Sequence, residues 1–267
     1  MSTLYSILLR SGNVIAFIVM VVINSIASAV GLNGITTGAV SDLYPNLITP
    51  ASYVFSIWGV IYVLLAAFVI FQSLPAHKYD EFQNKISFLF IASCAANILW
   101  LFFFHYGYVV LSVPVMFLLL ASLIIIYLRL DIGHSIAPLR ERLCVHLPFS
   151  VYLGWITVAY IANMAAALVS LRWDGFGLSE VSWTLLVIIV VMIITLSMIF
   201  TRRDVGYSAV IMWALGGIIV KQIDILDIVE TAAAGIVIIV VALIIAFSWL
   251  RKSRKKNEKV TEIRTPI

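Results

Sequence analysis

Residues 107–128 read GYVVLSVPVMFLLLASLIIIYL, contain no Asp, Glu, Lys or Arg, and stop at Arg129. At a rise of about 1.5 Å per residue, a helix over this stretch covers roughly 30 Å, the thickness of the hydrocarbon core of a bilayer. The apolar residues do not alternate as barrel strands require, and backbone groups in lipid must pair within their own segment, so a helix is expected. Similar uncharged runs lie at 13–31, 50–73, 86–105, 146–170, 181–201, 205–220 and 231–250. Composition agrees: the chain is 63% hydrophobic and 11% charged, with a mean hydropathy of +1.11, whereas soluble domains are about half apolar and a quarter charged. The expected fold is an all-α polytopic membrane protein with eight spans. The seventh run is short and carries Gly216-Gly217 near its end, so a re-entrant or strongly tilted segment is an alternative there.

Charge orients these spans. Of the 17 Lys and Arg residues, only Arg172 and Lys221 fall on one side when eight spans are threaded in alternation. Arg10, Lys78, Lys85, Arg129, Arg140, Arg142, Arg202, Arg203 and the basic residues after Leu250 share the other. Inward loops hold the positive excess, which predicts both termini in the cytoplasm, N-in and C-in. Removing one span would reverse the side of every later loop and destroy this asymmetry. The net charge of +4 comes mainly from the tail, where lysines below a span hold the helix end at anionic headgroups, and a nucleic-acid partner is not expected. Ala27-Ser28-Ala29 mimics a signal-peptide cleavage site, but the apolar run before it is longer than a usual signal core and favours retention. Cys94 and Cys144 fall where no matched partner or oxidant meets them, so no disulfide is expected.

Three regions follow: 1–171 with five spans, 172–250 with three, and a basic tail at 251–267. The junction at 172–177, RWDGFG, is a tight loop, so the two groups of helices are expected to pack together, with the first five also able to fold and bind alone. The loop GLNGITTGAVSDLYPNLIT at 31–49 has no Lys or Arg and is rich in turn formers; it reads as an outward lid, and Pro50 suits the first turn of the next helix. Small residues at Ala159, Ala162, Ala165, Ala166, Ala167, Gly216-Gly217 and Ala232 to Gly235 mark close helix packing.

No span has a charged residue away from its ends, which argues against a strongly ion-coupled pump or a retinal protein. His105, beside Tyr106 and Tyr108, reads as a membrane-belt residue. No zinc-like cluster or Ser-His-Asp arrangement emerges, so enzymatic chemistry is not the first expectation. What stands out is aromatic and amide residues on shared helix faces. Phe55, Trp58 and Tyr62 lie on the second span, Asn97 and Trp100 on the third, and Trp155, Ala159 and Asn163 on the fifth. Interhelical hydrogen bonding explains buried asparagines, and core packing explains tryptophans, as well as a ligand site does.

At these positions the chain resembles the TspO/MBR family of tryptophan-rich sensory proteins and translocator proteins, over residues 10–170. The first loop and second span are similar in Thr36-Thr37-Gly38, Tyr44-Pro45-Asn46-Leu47, Pro50 and Tyr53-Val54-Phe55 with Trp58 and Tyr62. Ala96-Asn97-Ile98-Leu99-Trp100 resembles the family's Asn-x-x-Trp signature, and Trp155, Ala159 and Asn163 keep its fifth-helix spacing. The chain departs from the pattern at Pro50-Ala51, where a double proline is usual, at Tyr53, where tryptophan is usual, and at Trp58, one residue early. Pro148 stands three residues farther from Trp155 than is usual, which brings in Tyr152. The usual family has five helices, leaving the last three spans as an extension.

The resemblance implies a ligand pocket in the outward half of the five-helix bundle. It would be lined by Pro50, Tyr53, Phe55, Trp58, Tyr62, Asn97, Trp100, Tyr152, Trp155, Ala159 and Asn163. Its ligand would be a tetrapyrrole such as porphyrin or haem, or a sterol, bound as a ligand and not as a resident cofactor; no metal site is implied. A receptor or sensor is the first expectation. A passive carrier of the same ligands, a porphyrin-degrading enzyme and a scaffold are the alternatives. Expected partners are the lipid bilayer, the tetrapyrrole or sterol-like molecule and a second copy in a homodimer, with the protein in the plasma membrane.

Overall fold

The computed structural model describes the backbone of residues 3–77 and 80–264 and the side chains of 5–77 and 80–249. All regular structure among the described residues is helical. Eight long helices carry the fold: α1 (Thr3–Ala29), α2 (Ile57–Ser73), α3 (Leu89–His105), α4 (Val109–Arg129), α5 (Leu147–Ser170), α6 (Glu180–Arg202), α7 (Val205–Lys221) and α8 (Leu226–Arg264). Six helical segments are long and apolar enough to cross a membrane, while α3 and α7, at 17 residues each, are shorter apolar helices. The side chains of the basic tail at 251–267 lie outside the described residues.

Local chemistry sets the boundaries. Pro148 at the start of α5 directly follows a π-helical turn, Arg142–His146, and this local change of helix period accompanies a residue that has no N–H to donate. Ser179 caps α6 by accepting from the Ser182 N–H, and Asp204 caps α7 by accepting from the Tyr207 N–H at 3.0 Å. The first loop contains its own short helix, Thr37–Asp42, capped by Thr36, and then a 3-10 turn, Ser52–Ser56, that leads into α2. The Gly216-Gly217 pair does not break α7, which is one continuous helix. The pair serves packing instead, because a Cβ on Gly217 would collide with Val54 and Pro50.

Helix α5 is central. It packs against α2, α4 and α7, while α1 lies on α2 and α3, and α3 on α4. Tyr152, Trp155, Ile156 and Phe149 on α5 are all buried. Glycines permit the closest approaches: Gly154 faces the backbone of Tyr207, Gly206 faces Ser150, and Gly235 on α8 faces Met192 of α6 and Leu215 of α7. Helix α6 packs on α7 and α8 and leaves α5 largely uncovered on that side.

The basic end of the bundle, where Arg129 and Arg202 lie, has a buried carboxylate. Asp204 is 6% exposed and accepts from Tyr127 Oη at 2.8 Å, Ser150 Oγ at 2.5 Å and the Tyr207 N–H. It therefore joins α4, α5 and α7. Nearby, Arg202 Nη1 donates to Asp131 Oδ1 at 2.7 Å, and His134 Nε2 lies 2.7 Å from the Thr201 carbonyl. At Asp131 desolvation pushes the carboxyl up, but hydrogen bonds and charge from Arg202 and His134 together outweigh it and hold the carboxyl below its ordinary value.

Candidate functional site

At the first-loop end, the 3-10 turn 52–56 and the start of α2 direct Phe55 and Trp58 at α5. Phe55 meets Trp155 edge-on with centroids 5.7 Å apart; Trp58 meets Trp155 at 6.2 Å and Tyr152 at 6.0 Å, and stacks on Tyr62 at 5.6 Å. Such edge-to-face and offset geometries are those that aromatic quadrupoles favour. Trp100 stacks on Phe104 at 5.4 Å to form the α3 wall.

Two polar chains run through this aromatic group. Asn24 of α1 donates to Asn97 Oδ1 at 2.7 Å, and Asn97 Nδ2 donates to Tyr152 Oη at 3.4 Å. Trp100 Nε1 donates to Asn163 Oδ1 at 3.2 Å, with Ser112 Oγ 2.9 Å from the same oxygen. Since an indole N–H can only donate, these contacts fix the Asn163 amide with its NH2 on the other side. That group, Asn163 Nδ2, has no hydrogen-bond partner, and neither has Trp155 Nε1. The two residues are 3% and 1% exposed, so two donor nitrogens are buried unpaired on residues about two turns apart on α5 that line the same cavity.

A small cavity of about 20 Å3 lies among Ser41, Pro50, Phe55, Trp58, Trp100, Phe104, Trp155, Val158, Ala159, Ala162 and Asn163. It can hold about one water molecule, far below the roughly 300–1,000 Å3 of sites for drug-sized ligands. The site is closed. Seven expected residues line it: Pro50, Phe55, Trp58, Trp100, Trp155, Ala159 and Asn163. Tyr62 and Tyr152 stand behind that lining and touch Trp58, and Asn97 lies one step further back, bonded to Tyr152. Tyr53 stands apart, 47% exposed and edge-on to Trp213 of α7 at 5.5 Å. Sequence reasoning missed Ser41, Phe104, Val158 and Ala162. Phe104 follows Trp100 by one helical turn and Ala162 follows Ala159 by three residues, so the same face periodicity could have found both.

The lid is packed down. Ser41 is 7% exposed and Val40 2%, and Thr37 Oγ1 lies 3.0 Å from His105 Nε2. His105 is thus a buried partner of the first loop, 3% exposed, and not a membrane-belt residue. Its Nδ1, like Thr49 Oγ1, has no partner. From the far side α7 holds the loop: the Ala51 N–H donates to the Gly217 carbonyl at 3.1 Å and Trp213 Nε1 to the Val54 carbonyl at 3.1 Å. Gln222 Nε2 donates to the Leu47 carbonyl at 3.3 Å, and Lys221 Nζ to Asp42 Oδ1 at 3.3 Å.

No group of three or more potential metal ligands occurs among the described residues. Comparisons with curated proteins and with solved structures find no match. A family model described as TSPO-like protein matches residues 7–247, through α6 and α7 and into α8 as well as over α1 to α5. With that match covering most of its length, and with the aromatic and amide cluster under the first loop in place, this multi-pass membrane chain belongs to the TSPO-like family.

Proposed function

We propose that the protein is a membrane receptor for a flat apolar ligand with hydrogen-bond acceptors on its edge, a tetrapyrrole such as porphyrin or haem, bound at the aromatic cluster beneath the first loop. The proposed topology has eight spans in the plasma membrane with both termini in the cytoplasm, so the cluster lies in the outward half.

The observation that carries this reading is the pair of unpartnered donors, Trp155 Nε1 and Asn163 Nδ2, on the wall of an aromatic cavity. A buried donor left unpaired costs about 1–3 kcal/mol. Ligand oxygens or ring nitrogens accepting from each of the two would remove that cost, while Trp58, Phe55 and Trp155 offer ring faces to a macrocycle. Since the cavity holds only about one water as it stands, admission requires the first loop and the 52–56 turn to move. Those segments are what α7 grips. Binding would then be felt by α7 and, through it, α8, a route from the ligand to the cytoplasmic tail that favours a sensor.

Titration of the purified full chain with protoporphyrin IX, haem and a sterol, read by Trp quenching and thermal shift, tests this. Saturable binding of a tetrapyrrole is expected. Trp155→Phe keeps a ring but removes the donor, and Trp58→Leu removes ring contact; each should weaken binding by about 1 kcal/mol, roughly fivefold. Trp249→Leu, at a residue 78% exposed, should leave affinity unchanged. No saturable binding by any of the three ligands, or full affinity in folded Trp155→Phe and Trp58→Leu proteins, would refute the proposal. Flux into sealed vesicles is expected to be absent.

A further inference from the structure

A recess of about 510 Å3 lies between α5 and α6 at the first-loop end, bordered by Pro45 to Ile48 of that loop, and shares no lining residue with the aromatic cavity. It exists because α6 leans on α7 and α8 and not on α5. One wall is Ile161, Ala165 and Leu168 of α5; the other is Leu186, Val187 and Val190 of α6. Leu186 and Val190 are 46% and 54% exposed, so the recess opens sideways, where lipid would stand. From Tyr160 to Val169 the α5 wall runs about 14 Å, roughly half the hydrocarbon core.

The roof of the groove is a fixed structure. Trp183 Nε1 donates to the Gly175 carbonyl at 2.7 Å, and the Trp183 ring lies 5.0 Å from that of Trp173. Gly175 has φ +69°, and a Cβ on it would stand 3.2 Å from Trp183 Nε1, so a side chain there would strain this closure and glycine suits it. The charged residues lining the groove are Asp174 and Glu180, both at the roof. Neither is in a salt bridge among the described residues; Asp174 uses Oδ1 to accept from the Phe176 N–H at 3.1 Å. No Lys or Arg lines the recess.

We propose that this groove holds one chain of a bilayer lipid whose headgroup carries a free ammonium, set against Asp174 and Glu180. The length matches one leaflet, the walls match an acyl chain, and the unpaired carboxylates match a cationic head at the interface. An anionic head without an ammonium meets two like charges there, and that repulsion supplies discrimination. A dicarboxylate tetrapyrrole is disfavoured at this groove for the same reason, so the site is separate from the receptor site, although Pro45 to Ile48 of the first loop border it.

Native mass spectrometry of the detergent-purified full chain tests the proposal, with dioleoyl phosphatidylethanolamine and dioleoyl phosphatidylglycerol supplied in equal amounts. The ethanolamine lipid should be retained about fivefold over the glycerol lipid, the scale of a partly exposed ion pair. Asp174→Asn with Glu180→Gln should bring the ratio to about one; asparagine keeps the acceptor for Phe176. Ala165→Trp should fill the groove and remove the bound lipid, and Val190→Trp does the same from the opposite, exposed wall should the first variant not fold. Equal retention of the two lipids by the parent overturns the proposal, as does an unchanged ratio in the double variant or persistent lipid after the groove is filled. A dimer that disappears in Ala165→Trp would assign the groove to a second copy and overturn it as well.

Discussion

The two ends of α7 are tied to the five-helix part of the chain in different ways. At the basic end Asp204 is buried and receives three hydrogen bonds from α4, α5 and its own helix. At the other end α7 reaches the first loop through individual hydrogen bonds and one ion pair between Lys221 and Asp42 whose side chains are 28% and 52% exposed. A buried carboxylate with all its donors in place has no cheap alternative; an exposed pair contributes 0–1 kcal/mol and can be replaced by water. The contrast makes one end a fixed joint and the other a releasable grip on the lid.

The fixed joint supplies the largest expected effect. Asp204→Ala leaves the Tyr127 and Ser150 hydroxyls without their acceptor in a buried site and the Tyr207 N–H with Ser150 Oγ alone, and should lower unfolding stability by roughly 3 kcal/mol. Thermal or denaturant unfolding in detergent measures it; a loss under about 1 kcal/mol would show that the end is not fixed. For the same reason a chain ending after Leu171 is expected to fold poorly. The five spans looked self-sufficient as a sequence, but without α7 the faces of Gly154, Ser150 and Val54 lose their cover. A stable, monodisperse truncated protein would contradict this.

Much of the helical framework was legible because it depends on spacing alone. The uncharged runs coincide with α1 to α8 within a few residues at most ends, apart from the start of α1 and the continuation of α8 beyond 250, and the Phe55, Trp58, Trp100, Trp155 and Asn163 faces do meet. Where local geometry changes period, the reading slipped. Tyr53 sits in a 3-10 turn of three residues, not 3.6, per turn, which changes its direction relative to Trp58 and sends it to Trp213. Asp204 lies between two uncharged runs, one residue outside α7, where nothing in the spacing marks it for burial; Gly206 lets α7 approach Ser150 there. His105 could not be told from a belt residue until Thr37 of the lid was seen beside it. The α5/α6 groove depends on the lean of α6, which no periodicity encodes.

A substitution between the two ends sharpens the comparison at intermediate scale. Gly217→Val puts side-chain atoms where Val54 and Pro50 already stand, so the 52–56 turn must shift or α7 must retreat. Overpacking of this kind costs about 1–3 kcal/mol. Since the turn carries Phe55 into the cluster, ligand affinity should fall along with stability. Affinity retained in a destabilised protein would separate the α7 contact from the site.

The smallest effect is the most informative about the grip. Lys221→Gln removes the ion pair with Asp42 and should change unfolding stability by less than about 1 kcal/mol. Its consequence belongs to loop opening instead. Ser41 is 7% exposed on the cavity side of the loop's own short helix, so a cysteine there, in a background free of Cys94 and Cys144, should react slowly with a maleimide and report each opening. If the pair contributes up to 1 kcal/mol to the closed state, its removal should speed labelling by as much as about fivefold. Salt supplies a control on mechanism, because exposed charges are screened within about 10 Å at 0.1 M ionic strength. Raising salt should accelerate labelling in the parent and leave Lys221→Gln nearly unaffected. The same rate in parent and variant at low salt, or equal salt sensitivity in both, would mean that the pair does not hold the lid and that the difference between the two ends of α7 has no bearing on access to the site.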